Sequence, residues 1–184
     1  MIFIKNILTR FYIRPANVSD IPVLEKLVNS AFRGDTSRLG WTTEADLLDG
    51  IRVDFPALQE MIEMPDAVIF NYYGEEQTLL GCVFLQKQGA KLYLGMLTVS
   101  PYLQNQGIGK QLMQAAEAYA LSRFCTYITM NVLSDRVELT DWYKRQGYYL
   151  TGEYKKFPTD TRFGIPKKEL LFHIMQKDLV NLDK

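Results

Sequence analysis

The turn Gln104-Asn105-Gln106-Gly107-Ile108-Gly109, followed by Lys110, has the residue types of an anion-binding loop at the start of a helix. Glycine has no Cβ, so the backbone can approach a phosphate closely. The free N–H groups of a helix's first turn converge on an anion, and the helix dipole favours negative charge there. No acidic residue occurs between Asn105 and Lys110, and Lys110 adds a positive charge. The pattern therefore favours binding of a phosphate or pyrophosphate group.

Two other phosphate motifs do not fit this segment. The chain has no Gly-x-x-x-x-Gly-Lys-Ser/Thr sequence, and Leu112 stands where the dinucleotide motif Gly-x-Gly-x-x-Gly requires its third glycine. On the two glycines alone, an ordinary glycine-rich helix cap is an equally good interpretation. The neighbouring elements have to decide between these interpretations.

The first third of the chain predicts one strand and three helices. Ser19-Asp20 opens an apolar-faced helix that stops near Gly34. Thr43 and Asp46 have the spacing of a capping box and predict a second helix. The remaining assignments are a strand over Phe11–Pro15, an apolar face of the second helix formed by Leu47, Leu48 and Ile51, and a third helix after Pro56.

The rest of the chain predicts six strands and two helices. Three apolar runs joined by short turns are typical of an antiparallel meander, and the period then changes to that of a helix. The strands are Ala67–Tyr73, Thr78–Gln86, Lys91–Val99, Cys125–Val132, Tyr148–Tyr154 and Glu169–Gln176; the helices are Gly107–Arg123 and a short one that Ser134 or Asp135 caps and Gly147 closes. The fold class is therefore α/β, with a mixed, mostly antiparallel central sheet and flanking helices.

The composition limits the classes of function. The 184 residues include 47% hydrophobic residues, which is enough for one folded domain over 1–184, with 1–10 as an N-terminal extension. Lys plus Arg equals Asp plus Glu at 21 each, so no overall basic field favours nucleic acid as a partner. No apolar run approaches the length of a membrane span, and we expect a cytoplasmic protein without a membrane partner.

The cysteine and histidine content argues against a metal or a disulfide. Cys82 and Cys125 lie in separate apolar runs, which predicts two buried free thiols and suits a reducing compartment. The chain has a single histidine, His173, and no cysteine pair at ligand spacing. We therefore expect no metal site.

Two segments together resemble the GNAT family of N-acetyltransferases. Leu97–Leu112 is similar to the family's acetyl-CoA motif, a Val-x-Pro strand end followed by Gln/Arg-x-x-Gly-x-Gly/Ala. Trp142–Tyr148, with the sequence Trp-Tyr-Lys-Arg-Gln-Gly-Tyr, looks like its Leu-Tyr-x-Lys-x-Gly-Phe segment. The resemblance covers about residues 12–177 and implies the acyl-CoA N-acyltransferase fold.

The resemblance also implies how acetyl-CoA, as the co-substrate, would be held. The pyrophosphate would bind the backbone of the turn, and the pantetheine arm would pair with strand Lys91–Val99 like an added strand. The strands Lys91–Val99 and Cys125–Val132 would splay apart to admit the arm. The residues implied are Leu97, Thr98, Val99, Gln104, Asn105, Gln106, Gly107, Ile108, Gly109 and Lys110. A backbone N–H near Leu97 or Thr98 would serve the thioester carbonyl.

The catalytic residue that the resemblance implies is Tyr143. Transfer of an acetyl group to an amine requires an ammonium with a pKa of about 10.4 to lose its proton and a thiolate with a pKa of about 8.5 to leave. Because a phenol with a pKa of about 10 gives up its proton uphill, we expect Tyr143 mainly to hydrogen-bond the developing charge on sulfur. A core aromatic on the face of Leu139 and Trp142 is the structural alternative.

The general base is not evident from the sequence. Glu44, Asp46, Glu153, His173 and a chain of water molecules are the candidates. Arg136 stands where many family members carry an asparagine that contacts CoA. It is expected either to meet a phosphate as a cation or to lie solvated in the first turn of its helix.

The acceptor would bind beside the segment that follows the first helix. Trp41, Glu44 and Asp46 form one expected wall, on which a tryptophan next to carboxylates can seat an amine; a tryptophan that covers the core is the equal alternative. Glu153 marks the second wall. Mixed charges on both walls favour a small polar amine, and the protein is expected to act alone or as a homodimer.

Three functions remain open at this point. The first is an acetyl-CoA-dependent N-acetyltransferase acting on a primary amine of a small molecule, with a protein or peptide amine as the alternative acceptor. The second is a non-catalytic domain that binds or senses acyl-CoA. The third is a nucleotide-phosphate domain outside this family. Retention of Tyr143 favours the enzyme.

Overall fold

The protein folds around a central sheet of seven strands, as a computed structural model of residues 11–179 shows (the side chain of Phe163 aside). The predicted N-terminal extension, 1–10, lies outside these residues. The strands are β1 Tyr12–Pro15, β2 Leu48–Asp49, β3 Ala67–Tyr73, β4 Leu79–Gln88, β5 Lys91–Val99, β6 Tyr127–Leu133, β7 Tyr149–Lys156, β8 Ile165–Pro166 and β9 Leu171–Asp178. The helices are α1 Ile21–Phe32, α2 Gly34–Ser37, α3 Phe55–Glu63, α4 Ile108–Ser122 and α5 Val137–Arg145.

The sheet has the order β1-β3-β4-β5-β6-β9-β7. β3, β4 and β5 form the predicted antiparallel meander, and β1 extends it on the β3 side. β9 lies antiparallel between β6 and β7. Only the β5–β6 pair is parallel in this sheet, so the prediction of a mixed, mostly antiparallel sheet is confirmed.

The parallel pair β5–β6 separates soon after it begins. Its register covers only Lys91–Tyr93 against Tyr127–Thr129. Beyond that point, β5 continues along β4 to Val99, and β6 continues along β9 to Leu133. The separation opens a gap in the middle of the sheet.

A β-bulge bends β5 where it faces this gap. Gly95 pairs with Phe84 and Thr98 pairs with Cys82, so Met96 and Leu97 together stand opposite Val83. Met96 has a φ of 50°, in the left-handed region that non-glycine residues rarely adopt. Bulges of this kind locally increase the twist and redirect the side chains and backbone groups that follow.

Helices cover both faces of the sheet. Apolar faces of α1 and α3 pack on one side, around the fully buried side chains of Leu24, Val28 and Leu58. On the other side α4 buries Leu112 and Ala116 against β4 and β5. The predicted free thiols Cys82 and Cys125 are both buried, and burial raises the pKa of the Cys82 thiol to about 12.

Two local predictions were wrong. The segment after Thr43 forms a turn and then β2, which pairs with β8, because the Thr43 hydroxyl accepts from the N–H of Ala45 and bonds Ser37 rather than capping a helix. The expected caps Ser134 and Asp135 are also wrong, since Arg136 is the N-cap of α5 and no side chain caps the helix.

Within residues 11–179, no helix is long and apolar enough to cross a membrane.

Candidate functional site

A cleft occupies the gap between β5 and β6. One side is formed by the end of β5 and the predicted phosphate turn, and the other by β6 and α5. The loop after α2 contributes Trp41, Thr42 and Glu44 to its wall. The cleft therefore brings the donor motif, the predicted catalytic helix and one predicted acceptor wall together.

The phosphate turn enters α4 through a left-handed residue. Gly107 is the N-cap of α4 with a φ of 84°, a conformation that favours glycine. A Cβ placed on Gly107 would meet no atom within 4 Å, so open space lies directly against the backbone. Asn105 is also left-handed, with a φ of 63°. Six predicted cofactor residues of the turn line the cleft, namely Gln104, Asn105, Gly107, Ile108, Gly109 and Lys110, whereas Gln106 is exposed and lies off its wall.

The end of β5 turns backbone groups toward the cleft, where the Val99 carbonyl accepts a long hydrogen bond from the Gln104 amide at 3.4 Å. The Ser100 N–H donates to the Leu80 carbonyl at 2.8 Å, toward β4. Because alternate residues of a strand point their backbone groups to the same neighbour, those of Thr98 face β4 and those of Leu97 and Val99 face the gap. Leu97 and Val99 line the cleft. This edge can accept an extended chain in the manner of an added strand.

The side chain of Thr98 lies outside the cleft. Thr98 is 1% exposed, and its hydroxyl donates to the carbonyl of Met96 at 3.0 Å. That bond spans the β-bulge and fixes its geometry. Thr98 therefore stabilises the cleft wall from the buried side of β5.

Tyr143 projects from α5 to the cleft. It is 6% exposed, and within residues 11–179 its hydroxyl makes no hydrogen bond. Burial raises the pKa of Tyr143 above its usual range; Arg136 opposes the rise, and Tyr93 and Glu44 add to it. The hydroxyl is therefore protonated at neutral pH and available as a hydrogen-bond donor.

Gln104 joins the phosphate turn to the loop that carries Trp41. Its Oε1 accepts from the N–H of Trp41 at 2.8 Å, and its Nε2 donates to the Thr42 hydroxyl at 2.7 Å. A Cβ on Gly40 would lie 2.7 Å from the Gln104 amide, so glycine permits this close approach. Sequence reasoning assigned Gln104 to the cofactor through its backbone and missed the role of its side chain.

Arg136 holds the same loop from the side of α5. Its guanidinium donates to the carbonyls of Trp41, Thr42 and Thr43 at 2.8, 3.0 and 2.7 Å, and it pairs with Glu138 at 2.6 Å. Arg136 is 5% exposed, so the expectation of a solvated first-turn residue is wrong. A contact between Arg136 and CoA stays a prediction. The residue lines the cleft, which is compatible with such a contact.

The far end of the cleft contains a second group of charged and aromatic side chains. Glu44 lines the cleft and forms an ion pair with Arg33, whose side chain is 6% exposed. The Glu44 N–H donates to the Phe32 carbonyl at 3.0 Å. The Arg52 guanidinium lies over the Phe32 ring, with Cζ 5.8 Å from the centroid. Phe32 thus connects the carboxylate and the guanidinium.

Three candidates named from the sequence lie away from the cleft wall. Asp46 is exposed and pairs with Arg38 at 2.8 Å. Glu153 is exposed on β7. His173 lies on β9, with its ring 4.9 Å from that of Tyr154. Of the side chains proposed as the general base, only Glu44 lines the cleft.

Several cleft residues were missed by the sequence analysis. Phe32, Met96, Asn131 and Phe172 all line it. Asn131 lies two positions after Thr129, the last residue of β6 that pairs with β5, and the sequence already placed it in this strand. Phe32 carried no signal, since only tertiary packing brings the end of α1 to β5. Among residues 11–179, no group of three His, Cys, Asp or Glu side chains has the arrangement of a metal site.

The comparisons with known proteins agree with this geometry. The sequence model of the acetyltransferase (GNAT) family matches residues 24–148. That range includes the phosphate turn, the β5–β6 gap and Tyr143. No curated protein matches the chain.

Solved structures show the same fold over nearly the whole chain. The ribosomal-protein-S18-alanine N-acetyltransferase of Escherichia coli superposes with a TM-score of 0.68 at 12% identity, covering 95% of this chain and 98% of its own. The ribosomal-protein-alanine N-acetyltransferase of Brucella melitensis gives 0.67 at 19%, covering 91% and 99%. An N-acetyltransferase of Staphylococcus aureus Mu50 gives 0.70 at 15%, covering 93% and 99%. At these identities the likeness shows a shared fold.

Proposed function

The chain belongs to the acetyltransferase (GNAT) family, and from that premise we propose that it transfers the acetyl group of acetyl-CoA to a primary amine of a small polar molecule. The observation that carries the proposal is the edge of β5 beyond Tyr93, which β6 no longer pairs with and which leads directly into the open backbone of the phosphate turn. Tyr143 faces the same cleft. Donor-binding groups and a proton-bearing hydroxyl therefore share one site.

The residues present fit acetyl-CoA. Open space at Gly107, the first N–H groups of α4 and the charge of Lys110 suit a pyrophosphate. The backbone of Leu97 and the N–H of Val99 can pair with the amides of a pantetheine arm, which would compete with the long Gln104 contact for the Val99 carbonyl. When bound, acetyl-CoA supplies an activated acyl group and a thiolate leaving group.

Tyr143 would stabilise the leaving sulfur. Its hydroxyl keeps its proton at neutral pH because burial raises its pKa. A phenol with so high a pKa is a poor acid toward a thiolate of pKa about 8.5. Tyr143 is therefore proposed as a hydrogen-bond donor to the developing negative charge, rather than as the source of a fully transferred proton.

Glu44 is proposed as the group that receives the proton of the acceptor amine. It is the carboxylate on the cleft wall among the candidates, and Arg33 holds it in place through the ion pair. Glu44 would accept the proton of the acceptor amine directly or through a water molecule.

A small acceptor is supported by the way the cleft wall is built. The segment around Trp41 is bound on one side by Gln104 and on the other by Arg136. Trp41 also lies against Trp142, with ring centroids 6.4 Å apart. A wall fixed by so many bonds suits a defined pocket more than an extended peptide groove.

Release of free CoA thiol from acetyl-CoA tests the proposal. The purified chain is incubated with acetyl-CoA and a panel of small amines, with acetylated product identified by mass spectrometry and short peptides as a parallel panel. Turnover on small amines supports the proposal, and turnover only on peptides assigns the alternative acceptor. Binding of CoA without turnover on either panel would instead support a non-catalytic acyl-CoA-binding domain.

A further inference from the structure

The acceptor end of the cleft contains one cation that the protein itself leaves available. Arg52 lines the cleft and stacks over Phe32 with Cζ 5.8 Å from the ring centroid. Across residues 11–179, its guanidinium has no ion pair and no hydrogen bond. A guanidinium presents five N–H donors in a planar fork, and here none of them has a protein acceptor in this range.

The other charged groups on this part of the wall are already neutralised. Glu44 is paired with Arg33, and Arg136 is paired with Glu138 and bonded to three carbonyls. Lys110 belongs to the phosphate turn at the donor end. Arg52 therefore leaves a net positive charge at the acceptor end that an anionic group of a ligand can balance.

The backbone at Arg52 is fixed, which makes the position of this charge part of the fold. The Asn29 side chain accepts from the N–H groups of Arg52 and Val53 at 2.7 and 3.2 Å and donates to the Val53 carbonyl at 2.8 Å. α1 thereby holds the segment on which Arg52 stands. A charge preorganised in this way binds a ligand with a smaller entropic cost.

We propose that the acceptor is a small amine that also carries an oxyanion, a carboxylate or a phosphate, and that Arg52 binds this group. The inference rests on the proposed acetyl transfer and narrows its acceptor. Arginine matches either oxyanion through two parallel N–H···O bonds. Phe32 contacts Arg52 with its ring, and its carbonyl accepts from the backbone N–H of Glu44, which places the site for the anion next to the site for the amine. Polyamines, which carry no anion, are disfavoured.

Matched pairs of amines test this assignment. Each α-amino acid is compared with its own carboxamide, and phosphoethanolamine is compared with ethanolamine, at saturating acetyl-CoA. For the wild type we expect kcat/KM to favour the anionic member of at least one kind of pair by about tenfold or more, as one charge-assisted bidentate contact gives. The kind of pair that shows the preference identifies the oxyanion.

Arg52→Gln should remove the preference. The ratio within the preferred pair should fall to about one, mostly through a higher KM for the anionic member, while the neutral member changes little. Arg52→Lys keeps the charge without the fork and should give an intermediate ratio. Arg123→Gln, an exposed arginine at the end of α4 that pairs with Asp66, is the matched control and should leave the ratio unchanged.

Each result decides the proposal. A wild-type ratio near one in every pair, with CoA released, overturns the inference and leaves the proposed transfer standing. An equal loss on both members in Arg52→Gln and in Arg52→Lys also overturns it, because it assigns Arg52 a structural role. If no amine releases CoA, both the transfer and the inference fail. Circular dichroism and CoA affinity establish that each variant is folded.

Discussion

The side chain of Gln104 accepts a hydrogen bond from the backbone N–H of Trp41 at 2.8 Å, and so joins the phosphate turn to the loop that carries Trp41. Its amide also donates to the Thr42 hydroxyl at 2.7 Å. The proposed donor and acceptor parts of the cleft therefore share a physical contact. A ligand that orders the turn can stabilise the loop, and by thermodynamic linkage the reverse also holds.

Gln104→Ala should weaken acceptor binding more than donor binding. The variant loses two hydrogen bonds to the loop, at about 1 kcal/mol each, whereas the backbone groups of the turn remain. We expect the acceptor KM to rise about tenfold and the affinity for CoA to change less than threefold. Steady-state kinetics and calorimetry measure both. Gln114→Ala, on the exposed side of α4, should change neither. An equal loss of both affinities would mean that the side chain contacts the donor.

Arg136 is expected to be a major contributor to stability through the same loop. Arg136→Met leaves three partly buried carbonyls without their donor, and we expect the free energy of unfolding to fall by about 3 kcal/mol. Urea denaturation measures the change. The exposed Arg145 on the same helix supplies the control, since Arg145→Met should change stability by less than about 0.5 kcal/mol. A loss below 1 kcal/mol in Arg136→Met would contradict a bracing role.

Substitutions at Gly109 separate bulk from charge in the phosphate turn. A Cβ at Gly109 would lie 3.5 Å from the Trp142 ring, an ordinary contact, so Gly109→Ala should retain CoA affinity within about fivefold. Gly109→Glu puts a carboxylate beside the proposed pyrophosphate and should weaken CoA binding by about 100-fold or more. Calorimetry on the folded variants measures both affinities. Unchanged binding in Gly109→Glu would place the pyrophosphate elsewhere.

The donor side of the site was predictable because its signals are local. Gly107 at the helix start and the short turns of the β3–β5 meander follow from residue types and spacing. The capping-box spacing at Thr43 gave a wrong prediction because the Thr43 hydroxyl stabilises a turn. It bonds the hydroxyl of Ser37, which lies five positions after the end of α1. Local spacing does not distinguish the two uses of a hydroxyl.

The acceptor side was predictable only in part, since Trp41 and Glu44 line the cleft as expected but tertiary contacts position the other residues there. Arg136 holds the loop that carries Trp41 through three carbonyl groups. These lie more than ninety residues earlier in the chain, so the local sequence does not indicate this role. Arg52 is one arginine among many in the sequence, and its place over Phe32 depends on how α1 packs on the sheet. Long-range packing of this kind produces no periodic pattern of residue types in the sequence.

Tyr143→Phe should lower turnover while preserving the donor site. The variant loses the hydroxyl that faces the cleft but keeps the ring packed against Trp142, with centroids 5.0 Å apart. We expect kcat to fall about 100-fold and CoA affinity to stay within twofold. Because burial raises the pKa of Tyr143, wild-type kcat should show no loss from tyrosine ionisation below about pH 10. Single-turnover kinetics across this pH range test both statements, and undiminished chemistry in Tyr143→Phe would assign the leaving group to another residue.

Tyr148→Phe is expected to stabilise the fold. The Tyr148 hydroxyl is buried and has no hydrogen-bond partner within residues 11–179, and removing such a group gains about 1 kcal/mol. Burial also raises the pKa of Tyr148, so above about pH 10 the unfolded chain loses a proton that the folded chain retains. The stability of the wild type should therefore fall relative to the variant as the pH rises beyond that value, by up to about 1.4 kcal/mol per pH unit.

Urea denaturation of Tyr148→Phe at pH 7.5 and pH 10.5 measures both effects. Tyr149→Phe is the adjacent control: its exposed hydroxyl donates to Asp178 at 3.1 Å and accepts from Gln176 at 2.9 Å, so its removal should leave stability unchanged or slightly lower. A loss of more than 1 kcal/mol in Tyr148→Phe would show that the hydroxyl has a partner in solution. A constant gap between wild type and variant at the two pH values would show instead that the phenol ionises equally in the folded and unfolded chains.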